Sequence, residues 1–446
     1  MALVKKTTYE TESNLVMKYH FGGLCCLKKQ WLYTRRFIWF LGVLVGRRDF
    51  CFKKYIPNKI HFKNMITKSK KNARTEAVDI IIPVYNGYKF LDPLFESLLK
   101  NTDLPFRLLV IDDHSPDERV FPLLKKWQQK FGDNALLFQN KENLGFVRTV
   151  NFGLANAKNH VVLLNTDVVV PKNWLSRLMM PIFNNRRIAS VTPFSNGGTI
   201  YSFPELYINN PLIADYQDID NCLARLDMKN TISNRLRFPT GIGFCMAMNK
   251  KALAKVGNLD EVFGRGYGEE NDWCMRACNL GYFHTVAYNL FVWHNQGGSF
   301  DKQDTKDLMD KNCRLLSARY ADYGQLLNKS GNSPLYQSIL FFARMIVFNK
   351  YAQKSTLVFD SDFDTDAPIS TDGELLLILS YNRPFKSYVL TGVHDKDVHI
   401  LFDSNLDNLL YLLNQMKFDL VDVKKLSGFK KNKRIESFIK NIGGVK

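Results

Sequence analysis

The sequence predicts an α/β protein whose first half forms a mostly parallel, doubly wound sheet flanked by helices. Two observations carry this. From Val78 to Leu164, apolar strand-like runs alternate with amphipathic stretches at intervals of roughly 25–30 residues, the spacing of strand–helix–strand units. Several of these runs also end in polar turn residues: Tyr85-Asn86-Gly87, Asp112-Asp113-His114-Ser115 and Asn165-Thr166-Asp167. In open α/β sheets the strand ends gather at one edge, and ligands bind there.

The elements follow in order. Val78–Val84 is β-rich and closes on a turn. Leu91, Leu94, Phe95, Leu98 and Leu99 fall on one helical face. Phe106–Ile111 reads as a strand, Val120–Phe131 as a helix and Ala135–Phe138 as a strand. A helix opened by Asn143-Leu144-Gly145-Phe146 runs to Ala157, and Val161–Leu164 is the next strand. Beyond Trp174 the pattern loosens. Ile188–Thr192 is strand-like, Phe194–Thr199 a flexible loop, and residues 204–236 helical or irregular. Phe238–Met248 combines a glycine turn with a strand, Asp272–Leu280 is a helix, and Tyr288–Trp293 is a strand ending at His294. From about Leu335 a smaller α/β appendage is expected. Its helices are Ser333–Phe348 and Leu406–Met416, its strands Leu375–Leu379, Tyr388–Leu390 and Val398–Phe402, and its acidic loop Asp360–Asp372. The expected division is an extension over 1–76, a catalytic domain over 77–330 and the appendage over 331–446.

The net charge of +18 sits at the ends of the chain. Residues 1–76 hold 17 Lys/Arg against 4 Asp/Glu, and residues 417–446 hold 9 against 3, so the body is nearly neutral. A neutral body with basic ends fits an enzyme held near an anionic surface. With no reader motif, a nucleic-acid-binding protein is not expected. Phe37–Val45, flanked by arginine pairs, is shorter than the roughly 20 residues that span a bilayer. It is either an interfacial helix or one packed on the body or a partner. Met1–Tyr19 is polar, unlike a cleavable signal peptide. The eight cysteines lack metal or disulfide spacing and read as reduced thiols. The expected location is cytoplasmic, peripheral at the inner face of the membrane.

Asp167 ends a buried strand, which is costly for a carboxylate unless a cation, proton or donor meets it; alternatively it caps the next helix. Glu269, Glu270 and Asp272 crowd a glycine turn at a helix start. The helix dipole favours such residues, but three so close repel one another.

Taken together, Ile82-Pro-Val-Tyr-Asn86, Ile111-Asp-Asp-His-Ser115, Asn143-Leu-Gly-Phe146 with Asn151-Phe-Gly153, Asn165-Thr-Asp167, Gly266–Trp273 and Val292-Trp-His-Asn-Gln-Gly-Gly298 resemble glycosyltransferase family 2. The resemblance covers roughly Val78–Ser299. It implies a GT-A type, Rossmann-like fold and an inverting transfer of a hexosyl or deoxyhexosyl group in polysaccharide biosynthesis. The donor would be a nucleoside-diphosphate sugar and the acceptor a glycan or lipid-linked sugar. It further implies that Pro83 and Tyr85 flank the base, that Asp113 bonds its ring nitrogen, and that Asn143 and Gly145 shape the nucleotide wall. Asp112 would orient its turn. Asn165, in the first place of the Asp-x-Asp motif, would lie in the donor site. Asp167 and His294 would bind a divalent cation, Mn²⁺ or Mg²⁺. Glu270 would be the general base, with Asp272 as the other candidate, and Glu269 would grip the acceptor. Two departures matter. Asn165 removes one charge from the metal motif, and the base is Glu where Asp is commoner. The first lends some weight to a non-catalytic nucleotide- or glycan-binding module on the same fold.

Overall fold

The computed structural model describes residues 76–211, 215–226, 233–295, 302–360, 373–382, 387–394, 397–403, 406–425, 429 and 433–442. The basic extension with its Phe37–Val45 segment, and the acidic stretch 361–372, lie outside the described residues. The chain divides into two compact units, one with described residues 76–336 and one with those from 337 onward.

The first unit is built on seven strands: β1 (Val78–Val84), β2 (Phe106–Asp112), β3 (Ala135–Gln139), β4 (His160–Leu164), β6 (Ile188–Phe194), β7 (Cys245–Met248) and β8 (Phe283–Phe291). Their order is β3-β2-β1-β4-β7-β6-β8. Every neighbouring pair is parallel except those made by β7, which runs antiparallel to both β4 and β6. The mostly parallel sheet is as expected, and β1 shows why. Val-Asp-Ile-Ile-Ile-Pro-Val is apolar at nearly every position, as a strand covered on both faces must be. The sequence did not signal the reversal at β7. A long excursion, residues 195–244, separates it from β6 and re-enters the sheet at the edge where β6 ends.

Helices α1 (Tyr88–Asn101), α2 (Val120–Phe131), α3 (Phe146–Asn156), α4 (Trp174–Asn184), α5 (Tyr216–Leu223), α6 (Lys250–Val256) and α7 (Glu269–Asn279) accompany the sheet, and α8 (Lys302–Arg319) and α9 (Tyr323–Gly331) follow. On α3, a Cβ at Gly153 would lie 2.6 Å from Ile81 Cγ2, so only glycine lets this helix lie so close to β1. Trp174 is core, fully buried with its indole N–H on Thr102 Oγ1 at 3.1 Å. Arg148 is exposed and paired with Glu261. Cys274 is buried and Cys278 half-buried, and the described cysteines are free thiols.

His284, buried in β8, has a defined proton. Its Nε2 lies 3.0 Å from the Cys274 carbonyl, which can only accept, so Nε2 carries the hydrogen and Nδ1 accepts from the Ser190 hydroxyl at 2.6 Å. Burial pushes its pKa down to about 4. Because the unfolded chain takes up this proton first, the contribution is whole above the ordinary imidazole pKa and is lost as pH falls. Urea unfolding should show the stability difference between wild type and His284→Gln shrinking by about 2 kcal/mol from pH 7 to pH 5. A pH-independent difference would contradict this assignment.

The second unit carries α10 (Pro334–Tyr351) and a five-stranded mixed sheet: β10 (Lys354–Asp360), β11 (Glu374–Asn382), β12 (Ser387–His394), β13 (Asp397–Asp403) and β14 (Leu420–Lys425), in the order β13-β12-β11-β10-β14. Helices α11 (Leu406–Leu413) and α12 (Lys433–Ile442) complete it. On α12, Ile435, Phe438 and Ile439 are buried. Among the described residues no helix is long and apolar enough to cross a membrane.

Candidate active site

The site grows from the C-terminal ends of β1, β2 and β4. After β1, Asn86 and Gly87 take positive φ angles of 58° and 69°, turning the chain sharply. A Cβ on Gly87 would stand 3.6 Å from Thr166 Oγ1, so the turns after β1 and β4 meet. The Asn86 N–H donates to Ser115 Oγ at 2.9 Å, tying the β1 turn to the β2 turn. Pro83 pairs in register with Ile111, and the Asp113 N–H donates to the Val84 carbonyl at 2.7 Å. Pro83 and Tyr85 are half-buried at this edge.

Asp112 and Asp113 divide the work at the end of β2. Asp112 accepts from the Ser115 N–H and from Gln139 Nε2, fixing its own turn. Asp113 is 3% exposed and turns toward the chain itself. Its Oδ1 accepts from Asn140 Nδ2 at 2.7 Å and from the Leu144 N–H at 2.8 Å, and its Oδ2 from the Gly145 N–H at 2.9 Å. Asn143 Oδ1 accepts from that same Gly145 N–H at 3.0 Å. Gly145 has φ 80°, and a Cβ there would stand 3.4 Å from Arg265 Cγ. The 143–145 wall therefore touches the loop leading to Glu269 and Glu270.

The end of β4 carries Asn165, whose N–H donates to the Phe244 carbonyl at 2.9 Å. A short ribbon then pairs β5 (Val168–Val169) with β9 (Trp293–His294), setting Val168 opposite His294. The ribbon brings Asp167 to His294 across 127 residues of chain, with His294 Nε2 3.2 Å from Asp167 Oδ1. His294 is held on three sides. Asn196 Oδ1 accepts its N–H at 2.9 Å, Asn196 Nδ2 donates to its carbonyl at 2.8 Å, and the Phe244 ring stacks on it at 5.0 Å and 13°. Its Nδ1 is buried without a hydrogen-bond partner. Sequence reasoning missed Asn196 and Phe244. The Phe194–Thr199 loop, expected to be flexible, instead buries Asn196 to 6% exposure through these bonds. A Phe-Ser-Asn-Gly-Gly string reads as a turn, and its partner lies 98 residues away.

The approach to α7 is tightly wound. Gly264, Gly266, Tyr267 and Gly268 all have positive φ, and Tyr267 is the one side chain among them that bears the strain of this region. Glu269 is 4% exposed and Glu270 half-buried, and each has an Oε2 buried without a partner. Burial, then the neighbouring Glu270 charge, holds the Glu269 carboxyl well above the usual carboxylate range. Burial also raises Glu270. Its own N–H, the Glu269 side chain and the N–H groups of Gly268 and Gly243 oppose that rise. Asp272 is differently occupied. It is fully buried, with Oδ2 2.8 Å from Arg276 Nε and Oδ1 2.7 Å from Arg319 and 2.9 Å from the Tyr320 hydroxyl.

Glu270, His294 and the β4 end are thus joined through two consecutive residues. The Gly243 N–H is among the groups that hold down the Glu270 pKa, and Phe244 stacks on His294 while accepting from Asn165. Residues 79–257 match the sequence profile of Glycosyl transferase family 2. The resemblance to this family is thus borne out over 179 of the 446 residues. The match ends before α7 and β9, so Glu270 and His294 lie beyond it.

Among curated proteins the chain is similar to chondroitin synthase of Pasteurella multocida (24% identity, 49% of this chain, 25% of that protein) and chondroitin synthase of Escherichia coli (25%, 51% and 36%). It thus spans about a quarter to a third of these relatives. Among solved structures it is similar to GalNAc-T7 with UDP, GalNAc and Mn²⁺ (16% identity, 60% of this chain, 57% of that chain, TM-score 0.41). It is also similar to mannosyltransferase PcManGT from Pyrobaculum calidifontis in complex with GDP-Man and Mn²⁺ (14%, 61%, 74%, TM-score 0.42).

Proposed function

We propose that this transferase moves a hexosyl or deoxyhexosyl group from a nucleoside-diphosphate donor to a hydroxyl of a glycan or lipid-linked acceptor, with inversion, in polysaccharide biosynthesis. The observation that supports the reading is the pairing of Asp167 with His294, whose ring stacks on Phe244, next to Gly243, which helps hold down the pKa of Glu270. Pro83 and Tyr85 flank the base. Asp113 anchors the 143–145 wall, and its Oδ2, which takes a single donor, keeps an acceptor position for a ring N–H. Asn165 lines the donor site beside Asp167.

Asp167 and His294 are the residues that would hold a divalent cation. A half-buried imidazole whose Nε2 lies 3.2 Å from a carboxylate oxygen and whose buried Nδ1 has no partner fits that task. One oxygen and one nitrogen ligand suit Mn²⁺ or Mg²⁺. Among the described residues no third His, Cys, Asp or Glu joins them, so donor phosphate oxygens and water would complete the shell. When bound, the cation supplies Lewis-acid neutralisation of the leaving diphosphate.

Glu270 takes the acceptor hydroxyl proton as that oxygen bonds to the anomeric carbon and the carbon–diphosphate bond breaks on the opposite face. Asp272 is not proposed as base, because its oxygens already accept from two arginines and a tyrosine. The basic residues 1–76 are proposed to hold the enzyme at an anionic membrane surface. Equal partitioning of the full chain and a chain lacking residues 1–73 onto anionic liposomes would refute that.

The test is a panel of UDP-, GDP- and dTDP-sugars with Mn²⁺, read by thermal stabilisation and by product anomer. A matching donor at about 100 times its Kd adds about 2.7 kcal/mol. Stabilisation by none of them, or stabilisation with neither transfer nor donor hydrolysis, would favour the binding-module reading, and donor hydrolysis that Glu270→Gln leaves intact would remove Glu270 as the base.

A further inference from the structure

We propose that Asn312 of α8 is a positioning residue for the transfer: it tethers the glycine-rich loop 263–268 and so fixes where the first turn of α7 presents Glu270. The proposal rests on the reading of Glu270 as the general base.

One face of α8 grips the approach to α7. Asn312, Leu316 and Arg319 recur at spacings of four and three, so they are neighbours on that face. Asn312 Nδ2 donates to the Phe263 carbonyl at 2.9 Å and to the Gly266 carbonyl at 2.8 Å. Leu316 packs in one core cluster with Phe263 and Trp273. Arg319 Nη1 reaches Asp260 Oδ2 at 2.8 Å and Asp272 Oδ1 at 2.7 Å, with its guanidinium 5.4 Å from the centre of the Phe263 ring. Arg319 thus holds the chain before and after the loop, and Asn312 holds the loop itself.

The choice of residue points the same way. Asn312 is 1% exposed, and its Oδ1 is buried without a partner. An unmet amide oxygen in a core is costly, and a leucine of similar size would avoid the cost. Two carbonyls can only accept, so the NH₂ end of the amide must face them. Those two donations are what an asparagine supplies here.

The loop needs a tether. Tyr267 and its neighbours Gly266 and Gly268 have φ 67°, 128° and 110°, a region that strains a tyrosine backbone. The turn bond from the Gly266 N–H to the Phe263 carbonyl is long, at 3.4 Å. The loop also leads straight into the site. A Cβ on Gly266 would lie 3.9 Å from both Glu269 carboxyl oxygens, and one on Gly268 3.8 Å from Asn312 Cβ. The Gly268 carbonyl accepts from the Asp272 N–H at 2.9 Å, opening the helix that carries Glu270. The nucleotide wall does not depend on this tether, because Gly145 keeps its own bond to Asp113.

Two readouts on the full chain test this, each comparing wild type with Asn312→Ser, which keeps one donor, and Asn312→Ala, which keeps none. The first is amide hydrogen exchange resolved to peptides. In Asn312→Ala the amides of residues 264–272 should exchange about fivefold faster, the ratio that one lost hydrogen bond sets, and less so in Asn312→Ser, while β1 and β4 keep wild-type protection. Unchanged exchange over 264–272, or an equal rise across the sheet, would overturn the proposal. This readout needs no turnover, so a wild type that transfers no sugar refutes the functional reading, and exchange still decides the tether. The second is steady-state transfer. In Asn312→Ala kcat per folded molecule should fall about 10–100-fold, the scale of a displaced reacting group, with the donor KM unchanged and part of the loss recovered in Asn312→Ser. A wild-type kcat in folded Asn312→Ala, or a rise in donor KM alone, would assign the side chain to packing and overturn the proposal. Melting curves give the folded fraction, and if Asn312→Ala does not fold, Asn312→Ser carries both readouts.

Discussion

Replacing Glu270 with glutamine lowers the rate of sugar transfer by about 10²–10⁴-fold, the range attributable to one positioned general base. Gln preserves shape but cannot take a proton. The melting temperature should stay within about 4 °C of wild type, the shift that roughly 1 kcal/mol produces in a domain of this size. Single-turnover assays with a saturating donor separate this loss from weaker binding. Asp272→Asn provides the contrast. It breaks the network with Arg276, Arg319 and Tyr320, so its main effect falls on stability, and the folded fraction keeps its chemistry. If Asp272→Asn abolished transfer in fully folded protein while Glu270→Gln did not, the two roles would be exchanged.

The second large effect concerns the Asp167–His294 pair. Loss of an outer partner of a metal ligand typically costs about 10–100-fold in metal affinity or activity. Asn196→Ala, which frees both backbone bonds to His294, should fall in that range. His294→Ala, which removes the imidazole itself, should exceed it. Titration of Mn²⁺ in the presence of UDP or GDP, followed by paramagnetic resonance, measures both without turnover. Equal affinities in wild type and His294→Ala would remove His294 from the cation site.

The parts of this molecule legible in its sequence are those governed by local pattern. Ile80, Ile81 and Ile82 announce a strand buried on both faces, and Leu91, Leu94, Phe95 and Leu98 are buried as their spacing requires, whereas Leu99, read on the same face, is 53% exposed. The helix Lys302–Arg319 and the helix Tyr323–Gly331 were not read, because their apolar residues are too sparse to set a period. The short β5–β9 ribbon was equally hidden. Two residues per strand carry no signal, yet they set Asp167 against His294. Asp113 shows another limit. Its position at a strand end was legible, but not that three donors of residues 140–145 converge on it. Asn196 and Phe244 were invisible for the same reason, since their roles exist only through partners distant in the chain.

The central claim is that Asp167 and His294 hold one cation beside Glu270. Anomalous diffraction from crystals of the protein grown with Mn²⁺ and UDP, or with Mn²⁺ and GDP, tests it most directly. The account predicts a manganese peak bonded to an Asp167 carboxylate oxygen and to a His294 ring nitrogen, with the diphosphate on its open side and the Glu270 carboxyl facing the same cavity. A peak bound to neither residue, or a diphosphate seated away from the Gly243–Phe244 corner, would contradict it.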